Sequence, residues 1–160
     1  MSPSKRIAFA RHLGRHLSEL TRVLGRSVRR EDLLSLEESE AILAQAKATL
    51  RAPGWKVTVP FKDKGLPRFR NFTRALGSAH AGRVYLWTPL ASDCGLPKSV
   101  SLSEIDFGFP FDLNPEGILE VLTEDLQDRL ILDYSLGEGD QAELEIEVSG
   151  PRWGGVQLDR

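Results

Sequence analysis

The C-terminal third of the sequence contains the stretch that decides the fold, Ala142-Glu143-Leu144-Glu145-Ile146-Glu147-Val148-Ser149. Apolar and acidic residues alternate in it, and a period of two is typical of a β-strand with one buried face. The three glutamates then follow one another along the other face, about 7 Å apart. Glutamate is a weak strand former and like charges repel, so neither strand propensity nor electrostatics favours this row of glutamates. It is a plain solvated face, a face neutralised by a basic element of the same chain, or a surface kept for a basic partner.

Further strands surround this stretch in the sequence. Residues 117–122 and 129–135 read as strands, and the turn at 137–140 connects the second of them to the glutamate strand as a hairpin. Upstream, residues 55–61 alternate and 83–88 are rich in Val, Tyr and Trp. Pro60 cannot donate a hydrogen bond to a neighbouring strand, which predicts that 55–61 lies at a sheet edge.

Two amphipathic helices are predicted before the first strand. Residues 3–26 repeat leucines at spacings of three and four, with arginines on the opposite face. Residues 36–51 form the second helix, with the capping-box spacing at Ser35 and Glu38 and a stop at Pro53-Gly54. The basic face of the first helix is expected to meet solvent or a partner.

Helices followed by sequential strands predict an α+β fold, with two N-terminal helices packed on a mostly antiparallel sheet. The size favours a single domain over 1–160, with a helical part at 1–54 and a mostly β part at 55–160. No helix is expected after residue 51, which excludes a doubly wound fold. The proline-containing stretch 89–117 is read as a long loop whose apolar residues pack down.

Charge is segregated along the chain. Residues 1–83 carry 17 Lys/Arg against 7 Asp/Glu, and residues 84–160 carry 4 against 16. No apolar run reaches the length of a membrane span and no secretory signal is recognisable, so we expect a cytoplasmic protein. The single Cys94 fits a reducing compartment and is read as an incidental thiol.

The sequence offers no catalytic signature. His12 and His16 are four residues apart, but the glutamate of a zinc-protease motif is absent and two arginines flank them. Phosphate-binding loops, dinucleotide glycine patterns and zinc-type Cys/His spacings are also absent. We therefore expect no enzyme, no cofactor, no metal and no small-molecule substrate.

Two surfaces of opposite charge are candidates for binding. The basic one consists of Arg11, Arg15, Arg22 and Arg26 on the first helix, together with the interleaved arginines and phenylalanines of 68–74. That pattern suits a single-stranded nucleic acid, although the preferred interpretation of the segment is a strand or loop with Phe69 and Phe72 in the core and the arginines outside. The acidic second half would repel phosphate, which makes nucleic acid the less favoured partner.

The acidic surface is the preferred candidate. Glu120 and the turn after it are expected to add to the field of the glutamate strand. The residues predicted to bind a partner are Glu143, Glu145 and Glu147, followed by Glu124, Asp125 and Asp128.

Roughly the last 50 residues resemble immunity proteins of bacterial contact-dependent growth inhibition systems. The resemblance rests on three stretches and Trp153: Phe111-Asp112-Leu113-Asn114-Pro115-Glu116-Gly117-Ile118-Leu119, Leu130-Ile131-Leu132-Asp133-Tyr134-Ser135, and Leu144-Glu145-Ile146-Glu147-Val148-Ser149-Gly150. It implies a cytoplasmic inhibitor that binds the C-terminal toxin domain of a surface-displayed protein. Many such toxins are nucleases with basic active-site rims, for which an acidic inhibitor surface is complementary.

Overall fold

The computed structural model describes residues 1–49, 51–52 and 54–159. Six strands form one sheet in the order β1-β6-β5-β4-β2-β3, and every neighbouring pair is antiparallel. The strands are β1 (Trp55–Pro60), β2 (Arg83–Trp87), β3 (Val100–Ser101), β4 (Ile118–Thr123), β5 (Arg129–Leu136) and β6 (Ala142–Ser149). The helices are α1 (Pro3–Leu24), α2 (Leu36–Ala48), α3 (Pro67–Ala79) and α4 (Ala91–Cys94). The predicted α+β class is confirmed, and β1 lies at the sheet edge as Pro60 indicated.

One face of the sheet carries the main core. Leu144, Ile146 and Val148 of β6 are buried there beside their β5 partners, because alternation places them all on the same side. Helices α1 and α3 contribute the apolar side chains of the same cluster, which include Leu20, Val23, Phe69, Phe72 and Leu76. The apolar face predicted for the first helix is thus confirmed in its second half, where Leu20 and Leu24 are buried.

The other face of the sheet is only half covered. Ala46 of α2 packs there against Leu122 of β4 and Leu126, with Ile42 and Tyr85 alongside. This smaller cluster places α2 over the β2–β4 half, opposite the main core. The half formed by β5, β6 and β1 therefore presents its outward side chains to solvent.

Local signals explain where the first two helices begin and end. Ser2 caps α1 by accepting from the Lys5 amide, and Pro3 occupies the first helical position. Gly25, at φ 62°, ends α1 two residues before the predicted boundary. Ser35 and Glu38 form the predicted capping box of α2. Helix α2 ends at Ala48, three residues before the predicted boundary at residue 51, and Leu50 of the predicted apolar stripe lies outside the described residues.

The expectation of no helix after residue 51 is wrong. The segment read as a strand or loop at 68–74 belongs to α3, because Phe69, Phe72 and Leu76 recur at spacings of three and four and all face the core. The short helix α4 and strand β3 also interrupt the stretch read as an irregular loop.

The stretch 89–117 nevertheless packs its apolar residues against the core, as expected. Leu102, Ile105 and Phe109 are buried in the main core. The buried Lys64 ammonium donates to the carbonyl oxygens of Phe107 and Phe109 at 2.7 and 2.6 Å, which fastens the stretch to the segment after β1. Among the described residues, no helix combines the length and apolar composition needed to cross a membrane.

Candidate partner-binding surface

The open half of the second sheet face carries a row of carboxylates. Glu143, Glu145 and Glu147 all point to this side, because the intervening β6 residues fill the main core. The side chains of Glu145 and Glu147 are 39% and 40% exposed. Glu143 is partly exposed, and its carboxylate lies against Gly137 of the hairpin turn. The three glutamates therefore point away from the main core, as predicted.

Among the described residues, one cation lies within 4 Å of this row of carboxylates. Lys56 of β1 is directly opposite Glu147, and its Nζ is 3.4 Å from Glu145 Oε1 and 3.8 Å from Glu147 Oε2. All three side chains are substantially solvent-exposed, so these contacts stabilise the fold weakly. The row is therefore partly but not fully neutralised within the chain.

Sequence reasoning missed a fourth carboxylate on the same face. Asp133 of β5 is exposed and lies directly opposite Glu145, while Ser135 lies opposite Glu143. Directly opposed like charges destabilise an antiparallel pair. The signal was present, because the short hairpin turn at 137–140 and the alternation of β5 together fix this register. We call Asp133, Glu143, Glu145 and Glu147 the acidic face.

Asp128 was predicted to face a partner, and the structure contradicts that. Its side chain is fully buried and its Oδ1 accepts from the backbone amides of Arg152 and Trp153, both at 2.8 Å. Its Oδ2 accepts from Arg152 Nε at 2.7 Å. The carboxylate links the β4–β5 turn to the C-terminal segment by these hydrogen bonds, so it is not available to a partner.

Asp125 and Glu124 belong to the same turn but differ in their contacts. Both Asp125 oxygens accept from Arg152 Nη2, at 2.7 and 2.8 Å. Hydrogen bonds from Thr123, the Gln127 amide and Arg152 hold the pKa of Asp125 below its usual value, against a desolvation effect that acts in the opposite direction. Glu124 is exposed and lines a groove with Arg83 and Tyr85. Because β5 lies between β4 and β6, neither residue extends the acidic face.

The basic first helix does not cover the acidic face. Arg22 pairs with Asp112 at 3.0 Å, Arg26 approaches Glu104 at 3.7 Å and Arg15 approaches Glu19 at 3.8 Å. These partners belong to α1 itself and to the 102–117 region, and α1 packs on the opposite side of the sheet. On α3, Arg68 pairs with Asp63 at 2.6 Å and Arg70 donates to the Gly65 carbonyl. Each of these five arginines therefore has an acceptor of the same chain within 4 Å.

His12, His16 and Cys94 also have contacts within the chain. His12 Nδ1 is 2.7 Å from Asp93 Oδ2, and the buried His16 Nε2 is 2.8 Å from the Gly95 carbonyl oxygen. Burial lowers the pKa of His16. Burial also raises the pKa of Cys94 to about 11, so that its thiol stays protonated at neutral pH and is a poor nucleophile.

Comparison with protein-family models, with curated proteins and with solved structures found no significant match for this chain.

Proposed function

We propose that this protein binds a basic protein partner through the acidic face and that it acts as an inhibitor of that partner without catalysing a reaction. The observation that supports the proposal is the set of four exposed or partly exposed carboxylates on the open half of the sheet, where Lys56 is the one cation within 4 Å among the described residues. A fold gains nothing from placing Asp133 directly opposite Glu145. A cationic partner would relieve that repulsion on binding.

The class of partner comes from the sequence resemblance to immunity proteins. A toxin domain that cleaves nucleic acid must attract phosphate and therefore presents cations around its active site. The acidic face would steer association with such a domain and compete with its substrate. In this proposal the protein works in the cytoplasm of the cell that it protects, and nucleic acid stays the alternative partner.

The test begins with the capture of a partner from the native cell by the tagged full chain. The captured protein is identified, purified and measured against the chain by biolayer interferometry at low and high salt. We expect a basic partner whose association slows by about tenfold or more in the Glu143→Gln/Glu145→Gln/Glu147→Gln variant, with a flatter salt dependence. Growth of cells that express the partner should be restored by the wild-type chain and not by this variant.

A matched control changes net charge equally at another surface. Glu31, Glu37 and Glu40 are exposed and lie on or before α2. Replacing these three with Gln should leave association and growth protection close to wild type. Equal binding by the β6 triple variant and the wild type would remove the acidic face from the mechanism. A partner that is itself acidic, or RNA bound at high salt, would contradict the proposal.

A further inference from the structure

A cleft lies between α2 and the sheet, beside the acidic face but outside it. Its volume is about 320 Å³, which is at the lower end of the range of small-molecule sites. The residues that matter for its chemistry are Leu43, Lys47, Arg51, Trp87, Ile118 and Arg129. We call it the Arg51 cleft.

The guanidinium of Arg51 is incompletely satisfied in this cleft. Its Nη2 donates to the Ala46 carbonyl at 3.1 Å and its Nη1 reaches the Thr49 carbonyl at 3.5 Å. Its Nε is buried and has no hydrogen-bond partner among the described residues. A buried donor without a partner costs free energy, which an acceptor bound in the cleft would recover.

A second arginine lies close to the first. Arg129 lines the same cleft, and its Nε donates to Glu120 Oε1 at 2.6 Å. Burial lowers the pKa of Arg51 and Arg129 lowers it further, while Glu120 and Asp128 act in the opposite direction. The exposed Lys47 adds another cation at the rim. Three cations against Glu120 give the lining a net positive charge that favours an anion.

The lining of the cleft also contains apolar and aromatic side chains. Trp87 and Ile118 belong to the sheet face beneath α2, and Leu43 of α2 lies above them. Trp87 is partly exposed, so its ring is accessible from the cleft. A tryptophan face gains free energy by stacking on a flat ring, and the aliphatic neighbours would enclose such a ring.

We propose that the Arg51 cleft binds a small organic anion that carries a flat ring. The anionic group lies against Arg51 and Arg129, and the ring lies against Trp87. Nucleoside monophosphates and aromatic carboxylates share this chemistry. The sequence predicted no small-molecule substrate. The residues of the cleft come from α2, β2, β4 and β5 and the segment after α2, so they form no motif that the sequence could reveal. The proposal does not depend on a protein partner.

Isothermal titration calorimetry on the full chain tests whether the Arg51 cleft binds such an anion, with adenosine monophosphate and phenylacetate as the two anionic probes. Adenosine and inorganic phosphate separate the contribution of the ring from that of the charge. We expect at least one anionic probe to bind, with an affinity lowered about tenfold or more by Arg51→Gln. Trp87→Leu should weaken that probe and leave inorganic phosphate unaffected. Arg74→Gln, an exposed arginine on α3, is the charge-matched control and should bind within about twofold of wild type.

Three results would overturn the proposal. They are no binding of either anionic probe at millimolar concentration, binding that Arg51→Gln leaves unchanged, and binding of adenosine as tight as that of its monophosphate. If circular dichroism shows that Arg51→Gln does not fold, nitrogen-edited NMR of the wild type tests instead whether the probe binds in the Arg51 cleft. The indole resonance of Trp87 must then shift on addition of the probe while that of the fully buried Trp153 does not.

Discussion

Glu19 is a buried carboxyl group whose environment suits its neutral form. It lies on the core side of α1, 4% exposed, and its Oε2 has no hydrogen-bond partner among the described residues. Burial raises the pKa of Glu19 to about 7, Arg15 and Arg22 lower it, and Glu116 raises it. Near neutral pH the side chain therefore carries a proton for about half of the time.

The stability of the protein should depend on this proton. Because the folded pKa of about 7 lies above the ordinary 4.5, the stabilisation is full below about pH 4.5 and is lost as the pH rises through 7. The lost free energy of unfolding amounts to at most about 3 kcal/mol. In urea unfolding from acid to mildly alkaline pH, the stability of the wild type relative to Glu19→Gln should fall along this slope, because the opposite contribution of His16, whose pKa is lowered, is common to both proteins.

A control for Glu19 is available on α2. Glu37→Gln alters an exposed carboxylate in the first turn of that helix and should keep the wild-type slope. If Glu19→Gln and the wild type lose stability in parallel over this range, Glu19 is not the group that titrates.

At the scale of elements, one ion cluster joins two distant segments. Asp128 follows the β4–β5 turn, and Arg152 precedes the short helical turn at Trp153–Gly155. Trp153 is fully buried and its Nε1 donates to the Leu76 carbonyl at the end of α3. Gly150, at φ 117°, passes so close to Asp128 that a larger residue would collide with it. The cluster thus holds the C-terminal segment against both the sheet and α3.

Asp128→Asn should destabilise the protein by about 2–4 kcal/mol, because a buried group loses its charge and part of its hydrogen bonding. Urea unfolding measures the change. Asp133→Asn is the matched control on the exposed side of β5, where the change should stay within about 0.5 kcal/mol. Equal effects of the two variants would contradict the structural role of Asp128.

At the scale of the whole molecule, the basic first helix and the acidic face do not meet. Helix α1 packs its apolar side chains on the main-core side of the sheet, and the acidic face lies on the other side. The ion pairs of α1 are mostly exposed and stabilise weakly. Among the described residues, Lys56 is the one cation within 4 Å of the acidic face, while Arg51 and Arg129 line a shallow pocket together with Glu147. This arrangement supports external use of the acidic face rather than internal pairing.

Asp133→Lys tests whether the acidic face is maintained at a cost to stability. The new cation would lie directly opposite Glu145, and we expect a gain of about 0.5 kcal/mol in the free energy of unfolding at low salt. High salt should remove most of the gain by screening. Asp159→Lys makes the same charge change in the exposed C-terminal segment and should have little effect. A loss of stability in Asp133→Lys would mean that the carboxylates stabilise the sheet as they are.

Local sequence determined the strands and the direction of their side chains. The alternation from Ala142 to Ser149 placed three glutamates outward, since successive side chains of a strand must alternate. Pro60 predicted an edge strand and Ser35 with Glu38 predicted a helix start, because each acts through its own backbone neighbours. The α3 pattern was equally local, and the prediction of a strand or loop at 68–74 overlooked the helical spacings of three and four at Phe69, Phe72 and Leu76.

Tertiary structure alone decided what each charge contacts. Asp128 and Asp133 are both acidic residues near β5, yet one is buried beneath Arg152 and the other is exposed opposite Glu145. The difference arises from segments 24 and 12 residues farther along the chain, Arg152 and Glu145 respectively. The Arg51 cleft likewise exists only because α2 packs across β2 and β4. Periodicity depends on residues that are neighbours in the sequence, whereas burial and ion pairing depend on which remote segments the folded chain brings together.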